Sequence, residues 1–429
     1  MMRWVYSWLV RAMVPLLRRK LALRARKEPV YGQWTEERFG HYEVASHPGS
    51  LWIHAVSLGE TRVAAVLIDA LRAQQPGLRL LLTHSTATGR VHGQGLLQPG
   101  DVQAWLPWDT PAAVNAFLRH FQPCAGVLME TEVWPNLSAA CAQAGVPLLL
   151  VNARMNERSH RLALRWSALA RPAYAALRSV WAQSDSDAQR LREVGAPVAG
   201  VLGNLKFDAR PDPHFLALGR SWRQGLTRPV VMLASAREGE EAMFLDALKA
   251  RPAAWAAAHW LIVPRHPQRF EAVAALIATQ GWPVQRRSQW GAGPTQARGV
   301  VLTGVDAPSL WLGDSMGEVA SYAALSDVAL LGGSFVPTGG QNLIELAACG
   351  CPVLMGPHTY NFAQAAQWAE SCGAALRVQD MSAAIEAAEV WLAQPIQRDQ
   401  AAKASLSLTQ SHQGAAQRTA QALGPWLAA

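Results

Sequence analysis

From residue 50 onward the chain alternates short, continuously apolar runs rich in β-formers with longer stretches of helical periodicity, and it does so twice. Strands apolar on both sides cannot belong to a sheet with one wet face, so the pattern requires parallel sheets covered by helices on both faces. In the first series Leu51–Val56, Arg79–Thr83, Val102–Leu106, Ala125–Met129, Pro147–Val151, Ser179–Ala182 and Val198–Leu202 read as strands. In the second, Pro229–Ser235, Trp260–Val263, Val300–Thr303, Asp327–Leu331, Pro352–Met355 and Ala375–Val378 do. Residues 206–228, rich in Pro, Arg and Asp, read as a linker between them. The expected fold class is therefore α/β, with two Rossmann-like parallel-sheet domains facing an interdomain cleft and ligands outside the carboxyl ends of the strands. The expected boundaries are an N-terminal helix over residues 1–30, a first domain over 31–205, the linker, and a second domain over 229–429. A long final helix, residues 396–423, is expected to pack back across the cleft.

Charge narrows the function classes once it is located. The net charge is +8, and residues 1–27 hold Arg3, Arg11, Arg18, Arg19, Lys20, Arg24, Arg26 and Lys27 with no acidic residue. Removing those eight from the 39 basic residues leaves 31 against 31 acidic ones, so the body of the chain is neutral. A nucleic-acid binder would spread its basic residues over a folded face, and that class is set aside. The same segment carries Trp4, Val5, Tyr6, Trp8, Leu9, Val10, Met13, Val14, Leu16 and Leu17. On a helical projection Arg3, Arg11 and Arg18 fall within an arc of about 80°, leaving a broad apolar face. Arg11 and Pro15 interrupt it, and no small-residue cleavage site follows, so the expectation is an interfacial membrane helix with a trailing basic cluster. An ordinary amphipathic helix docked on the first domain and a single tilted span are the alternatives. The five cysteines form no CxxC pair and the twelve histidines no HExxH, which predicts reduced, buried thiols and no metal site.

The polar residues of interest follow strands. Leu51–Val56 runs into Ser57-Leu58-Gly59-Glu60, a capping-box spacing that opens a helix. Glu60 is thus either a helix-start carboxylate or a general base at a strand end. Ala125–Met129 ends in Glu130-Thr131-Glu132-Val133-Trp134-Pro135, where mutual repulsion and desolvation would raise one carboxyl. The structural alternative has one carboxylate capping the helix at Pro135 and the other pairing with Arg154 or Arg158. Asn152 and Arg154, after the fifth strand, suit an anionic acceptor or a bridge to those carboxylates, surface ion pairing being the other reading. In the second half, Asp327–Leu331 leads into Gly332-Gly333-Ser334-Phe335-Val336-Pro337-Thr338-Gly339-Gly340-Gln341-Asn342 and a helix. Two glycine pairs at a strand-to-helix turn let backbone approach a phosphate, and Glu345 in the first turn suits ribose hydroxyls. The loop is neither GxGxxG nor a P-loop. Ser235-Ala236-Arg237 and Pro264-Arg265-His266 line the same end, Arg265 being suited to bidentate anion binding. Lys206 adds a cation at the domain junction, and Gly317-Glu318 offers either backbone donors or a plain helix start.

Taken together, ten segments in order resemble the Kdo (3-deoxy-D-manno-octulosonate) transferases of Gram-negative lipopolysaccharide synthesis: YGQWTEERFG (31–40), HAVSLGE (54–60), METEVWPNL (129–137), NARMNERS (152–159), GNLKFD (203–208), SAREGEE (235–241), VPRHPQRF (263–270), GDSMGE (313–318), GGSFVPTGGQN (332–342) and VLMGPHTYNF (353–362). The resemblance implies a GT-B fold, CMP-Kdo as donor, a lipid A precursor as acceptor, no cofactor, and an inverting, metal-independent reaction at the cytoplasmic face of the inner membrane. It implies that Glu60 is the general base, with Glu130, Glu132 and Arg265 completing the catalytic set. The donor would be held by Ser235, Arg237, Arg265, His266, Lys206, Gly317, Glu318, Gly333, Ser334, Gly339, Gly340, Asn342 and Glu345, and the acceptor by Ser57, Gly59, Asn152 and Arg154. The chain departs from the family pattern in having Thr338 and Gln341 where Arg and His are usual, Leu343 and Leu346 where Pro is usual, Arg237 for His, and an altered THSTATG segment (83–89). Rival readings are another GT-B enzyme, a nucleotide-sugar epimerase included, using a different acidic sugar, and a catalytically inactive, membrane-bound sugar-nucleotide-binding protein.

Overall fold

The computed structural model describes residues 2–294, 296–297, 300–301 and 308–427. The chain divides into two compact units, Met1–Ala209 with His412–Ala429, and Arg210–Ser411. The first holds seven parallel strands: β1 Leu51–His54, β2 Leu80–His84, β3 Val102–Trp105, β4 Ala125–Met129, β5 Leu148–Ala153, β6 Ser179–Ala182 and β7 Val198–Val201. Their order is β3-β2-β1-β4-β5-β6-β7. All seven expected strands are present, and the chain reverses its direction of travel between β1 and β4. Every residue of β1 is buried. Trp52 packs on one face with Leu81, Phe117 and Leu128, while Leu51 and Ile53 pack on the other with Leu67, Leu80 and Leu82. That is the two-residue alternation of a strand with both faces dry.

The covering helices follow from their caps and stripes. Helix Leu58–Gln74 begins where the Ser57 side chain accepts from the Glu60 amide, and it buries Val63, Ala64, Leu67, Ile68 and Leu71 on one stripe. Ala415, Ala416, Ala420 and Leu423, from the far end of the chain, join the same core.

The second unit is also a seven-stranded parallel sheet: β8 Val230–Ala236, β9 His259–Pro264, β10 Val284–Arg286, β11 Leu310–Leu312, β12 Val328–Leu331, β13 Val353–Met355 and β14 Ala375–Arg377, ordered β10-β11-β9-β8-β12-β13-β14. Here the sequence reading needs correction. Of the expected strand Val300–Thr303, Val300–Val301 pairs antiparallel with Gln296–Ala297 outside the sheet, and Leu302 and Thr303 lie outside the described residues. The members not foreseen, β10 and β11, are three residues each, too short to show a period.

Two other expectations change. Within residues 206–228, Pro213–Gln224 is a helix tied to helix Val319–Leu325 by the Ser321 hydroxyl, which donates to the Phe215 carbonyl at 2.9 Å. The helix opens with the Asp212 N-cap followed by Pro213 in its first turn. The final helix is two: Pro395–Ser411 belongs to the second unit and Ala415–Leu423 to the first, with Gly414 left-handed (φ 93°) between them.

At the other terminus, helices Met2–Ala12 and Val14–Lys27 meet at Met13, with Pro15 in the first turn of the second. The Ser7 hydroxyl donates to the Asn136 side chain at 2.9 Å, and Tyr6 is hydrogen-bonded to Asp109, so one face is anchored on the first unit. Trp4, Trp8, Leu9, Met13 and Leu16 remain exposed on the other. Among the described residues no helix is long and apolar enough to cross a membrane. The cysteines are unpaired, as expected, but only Cys141 and Cys351 are buried, and Cys372 is exposed.

Candidate active site

In the first unit the carboxylates meet at the switch point between β1 and β4, where open α/β sheets place their ligands. The Glu60 side chain turns back to accept from the Val56 amide at 2.8 Å and lies 3.4 Å from the Ser57 hydroxyl. Ser57 is therefore a cap and Glu60 closes it, yet the carboxyl is not an ordinary capping group. Burial raises it, the charge of Glu130 adds to that, and Glu132 contributes less, while the Val56 amide and Lys206 pull the other way. The net result is a rise from 4.5 to about 7.

Glu130 is the counterpart. It is left-handed (φ 58°) and buried, conditions that persist in a non-glycine residue only when the surroundings impose them. Burial alone would raise its carboxyl, but the charge and hydrogen bond of Lys206, with help from Arg154, hold it below the usual range. The Lys206 Nζ to Glu130 Oε1 distance is 2.8 Å. Lys206, expected at the donor, thus pairs with Glu130 of the first unit's carboxylate cluster. Asn152 places it: its side chain, on a backbone with φ 50°, accepts from the Leu205 amide at 3.0 Å. Arg154 donates its amide to the Glu130 carbonyl at 3.1 Å. Glu132 accepts from the Trp134 indole at 3.1 Å, and its carboxyl is raised by burial and by Glu130 despite that bond. Two carboxyls pushed up beside one held down by a lysine separate a proton acceptor from a fixed charge.

The second unit repeats the arrangement at β8 and β12. Arg237 donates to His266 Nε2 at 2.8 Å, and Arg265 donates to Gln341 at 3.0 Å. Burial lowers the His266 ring, and the charges of Arg265, Arg237 and Arg269 lower it further, so it accepts from Arg237 as a neutral imidazole. Ser235 is left-handed (φ 57°), turning the chain from β8 towards Arg237. A Cβ built on Gly333 would lie 3.0 Å from Thr338 Oγ1 and from Gln341 Nε2, and 3.5 Å from Arg237 Cγ. Three of the positions at which the chain departs from the family pattern, Arg237, Thr338 and Gln341, therefore surround Gly333.

The glycine loop is used differently from the expectation. Its amides are engaged largely within the fold: Gly333 and Phe335 donate to Glu240, Gly340 to the Gly333 carbonyl and Gln341 to the Gly332 carbonyl. Two glycines are required by packing, since a Cβ on Gly332 would stand 2.4 Å from the Ser235 oxygen, and one on Gly339 would stand 2.4 Å from the Asn361 side chain. Ser334 is enclosed, donating to the Leu331 carbonyl at 2.5 Å and accepting from Gly356 at 2.8 Å. Asn342 caps helix Leu343–Ala348. Glu345 is half-buried in its first turn. Glu318 receives Arg287 at 2.8 Å and Ser315, while Gly317 is exposed beside it. Arg237 and Arg265, which follow β8 and β9, bring two guanidinium groups to this end of the unit. Among the described residues no three His, Cys, Asp or Glu are grouped to hold a metal. Sequence reasoning missed Arg269, Glu240 and Glu241, whose signal was an acidic pair at a helix start.

Comparison with known proteins bears on this geometry. The 3-deoxy-D-manno-octulosonic-acid transferase (kdotransferase) family matches residues 33–209. The 3-deoxy-D-manno-octulosonic acid transferase of Bordetella pertussis is 43% identical over 439 residues, covering 99% of both chains. That of Haemophilus influenzae is 31% identical and covers 100% of this chain and 99% of its own. In fold, a glycosyltransferase from Rickettsia africae superimposes with a TM-score of 0.57 at 12% identity, covering 89% of this chain and 98% of its own. The UDP-GlcNAc 2-epimerase of Neisseria meningitidis gives 0.55 at 13%, covering 88% and 99%. The paired parallel sheets are thus of GT-B type. Since identity runs from end to end of two such transferases, the chain belongs to the 3-deoxy-D-manno-octulosonic-acid transferase family.

Proposed function

We propose that the protein is an inverting, metal-independent glycosyltransferase that moves Kdo from CMP-Kdo to a hydroxyl of a lipid A precursor in lipopolysaccharide synthesis. The observation that carries the mechanism is Glu60, a carboxylate in the first turn of helix Leu58–Gln74, whose pKa of about 7 suits a general base at neutral pH. Glu60 takes the proton of the acceptor hydroxyl, and that oxygen forms a bond to the anomeric carbon of Kdo. The bond from that carbon to the phosphate oxygen of CMP breaks with its electron pair, leaving CMP. Glu130, kept anionic by Lys206, holds up the pKa of Glu60 and with Glu132, Ser57, Gly59, Asn152 and Arg154 frames the acceptor. Arg237 and Arg265 take the phosphate and carboxylate of the donor, which needs two cations for its two anionic groups.

The acceptor is a lipid, and the reading places the enzyme at the cytoplasmic face of the inner membrane, attached through residues 1–27. Supporting this, Trp4 and Trp8 are 67% and 56% exposed on an anchored helix, next to a run of basic residues.

CMP release from CMP-Kdo, measured in detergent with and without lipid A precursor, tests the reading. Release that requires the lipid, yields a Kdo-lipid of the expected mass, and vanishes in Glu60→Ala supports it. A folded protein that turns over another acidic nucleotide sugar and not CMP-Kdo overturns the donor assignment, and full activity of Glu60→Ala overturns the base.

A further inference from the structure

The two units share a device put to different use. In the first, the carboxylate of Glu60 turns back from a helix start onto the Val56 amide at the end of β1. In the second, the carboxylate of Glu240 turns back from the start of helix Glu240–Lys249 onto the Arg237 amide at 2.8 Å. Glu240 is fully buried, and it also receives the amides of Gly333 at 2.7 Å and Phe335 at 3.1 Å. A buried carboxylate ringed by backbone donors does here what a bound anion does in a backbone nest. Its neighbour Glu241, also fully buried, is gripped by the Arg269 guanidinium through Nε at 3.2 Å and Nη2 at 3.1 Å. Arg269 ends the turn that carries Arg265 and His266.

We infer that Glu240 and Glu241 are a pair of positioning residues for donor binding, Glu240 fixing the glycine loop and the main chain of Arg237, and Glu241 fixing the Arg265–His266 turn through Arg269. This rests on the reading of the second unit as the donor unit. Neither carboxylate reaches solvent, so neither touches the donor. Each holds one of the two loops from which the donor-facing arginines project. A charge-assisted bond to a buried carboxylate is stronger than a neutral one, and an amide in its place presents an NH₂ to donors that need an acceptor.

The test uses the full chain with Glu240→Gln, Glu241→Gln and the milder Arg269→Lys, read by CMP titration, donor and acceptor KM, and peptide hydrogen exchange. The expected result is a rise in CMP Kd and donor KM of about tenfold or more, with acceptor KM unchanged. Exchange is expected to quicken in 331–342 for Glu240→Gln only, and in 264–270 for the other two only. Folded variants with wild-type donor KM, or exchange that quickens uniformly over the unit, overturn the brace. If the Gln variants do not fold, Glu240→Asp, which keeps the charge, and Arg269→Lys decide by the same readouts. Failure of the wild type to bind CMP overturns the donor reading instead, and the segment-specific exchange pattern still decides whether the brace exists.

Discussion

At the scale of single residues, the site turns on how three carboxyls and one lysine share a buried place. Glu60 is raised from 4.5 to about 7, so the folded chain retains a proton there over a range in which the unfolded chain has lost it. The stabilisation from this group is present below 4.5 and is lost as the pH rises through about 7. Glu60→Gln is accordingly expected to abolish turnover yet to raise stability at pH 8 by about 1–3 kcal/mol, after allowance for solvent screening. Denaturant melts at two pH values check this, and a variant less stable than wild type at the higher pH refutes it. In the wild type, kcat/KM should fall tenfold per pH unit below about 7, as the base protonates. Lys206→Met leaves Glu130 charged, buried and unpartnered by its lysine, and is expected to cost about 2–4 kcal/mol. Unfolding that shifts by less than half of that would mean the pair is better hydrated than its burial implies. Glu60 was legible in the sequence as either a helix-start carboxylate or a base, and the structure places it at the helix start with its side chain turned back onto the Val56 amide. Its raised pKa was not legible, because it comes first from burial and then from Glu130, just after β4, which only the sheet order brings alongside β1.

At the scale of elements, the N-terminal helices separate anchoring to the fold from exposure. Tyr6 and Ser7 face the first unit, and burial beside Asp109 pushes the Tyr6 phenol well above its ordinary range. Asp109 in turn receives the Asn136 and Leu137 amides at 3.0 and 2.8 Å, at the start of helix Pro135–Ala144 just after Glu132. Trp4→Ser with Trp8→Ser should reduce binding to anionic vesicles by about tenfold or more and leave Tm unchanged. Tyr6→Phe should do the reverse, lowering Tm by about 2 °C with vesicle binding intact. Vesicle sedimentation and thermal melts distinguish them, and equal loss of vesicle binding in both would remove the case for a dedicated face. The apolar-basic character of this segment was readable from composition. Which apolar residues stay outside was not, because the docking face is chosen by Asp109 and Asn136, over a hundred residues away.

At the scale of the whole molecule, the chain's last segment completes its first unit. The Asp208 carboxylate accepts from the amides of Gly414 and Ala416, the latter at 2.6 Å, and so fixes the start of helix Ala415–Leu423. Asp208→Ala is expected to cost about 1–2 kcal/mol and to quicken hydrogen exchange in helix Leu58–Gln74, which that segment covers. Exchange confined to residues 412–427 would show that the covering helix is dispensable. Six of the seven strands of the first unit, all but β7, which is half-exposed at the sheet edge, were determined by the sequence alone, because a run that is apolar on both faces has one kind of place to go. So was the location of the carboxylates at strand ends, since local caps and turns are short-range chemistry. The three-residue strands β10 and β11 exist because neighbouring strands supply their hydrogen bonds, and no local signal announces them. The tertiary structure alone decided which carboxyl is pushed up, which is held down by a lysine, and which is enclosed among backbone donors, because solvation and Coulomb energy depend on distances between residues far apart in the chain.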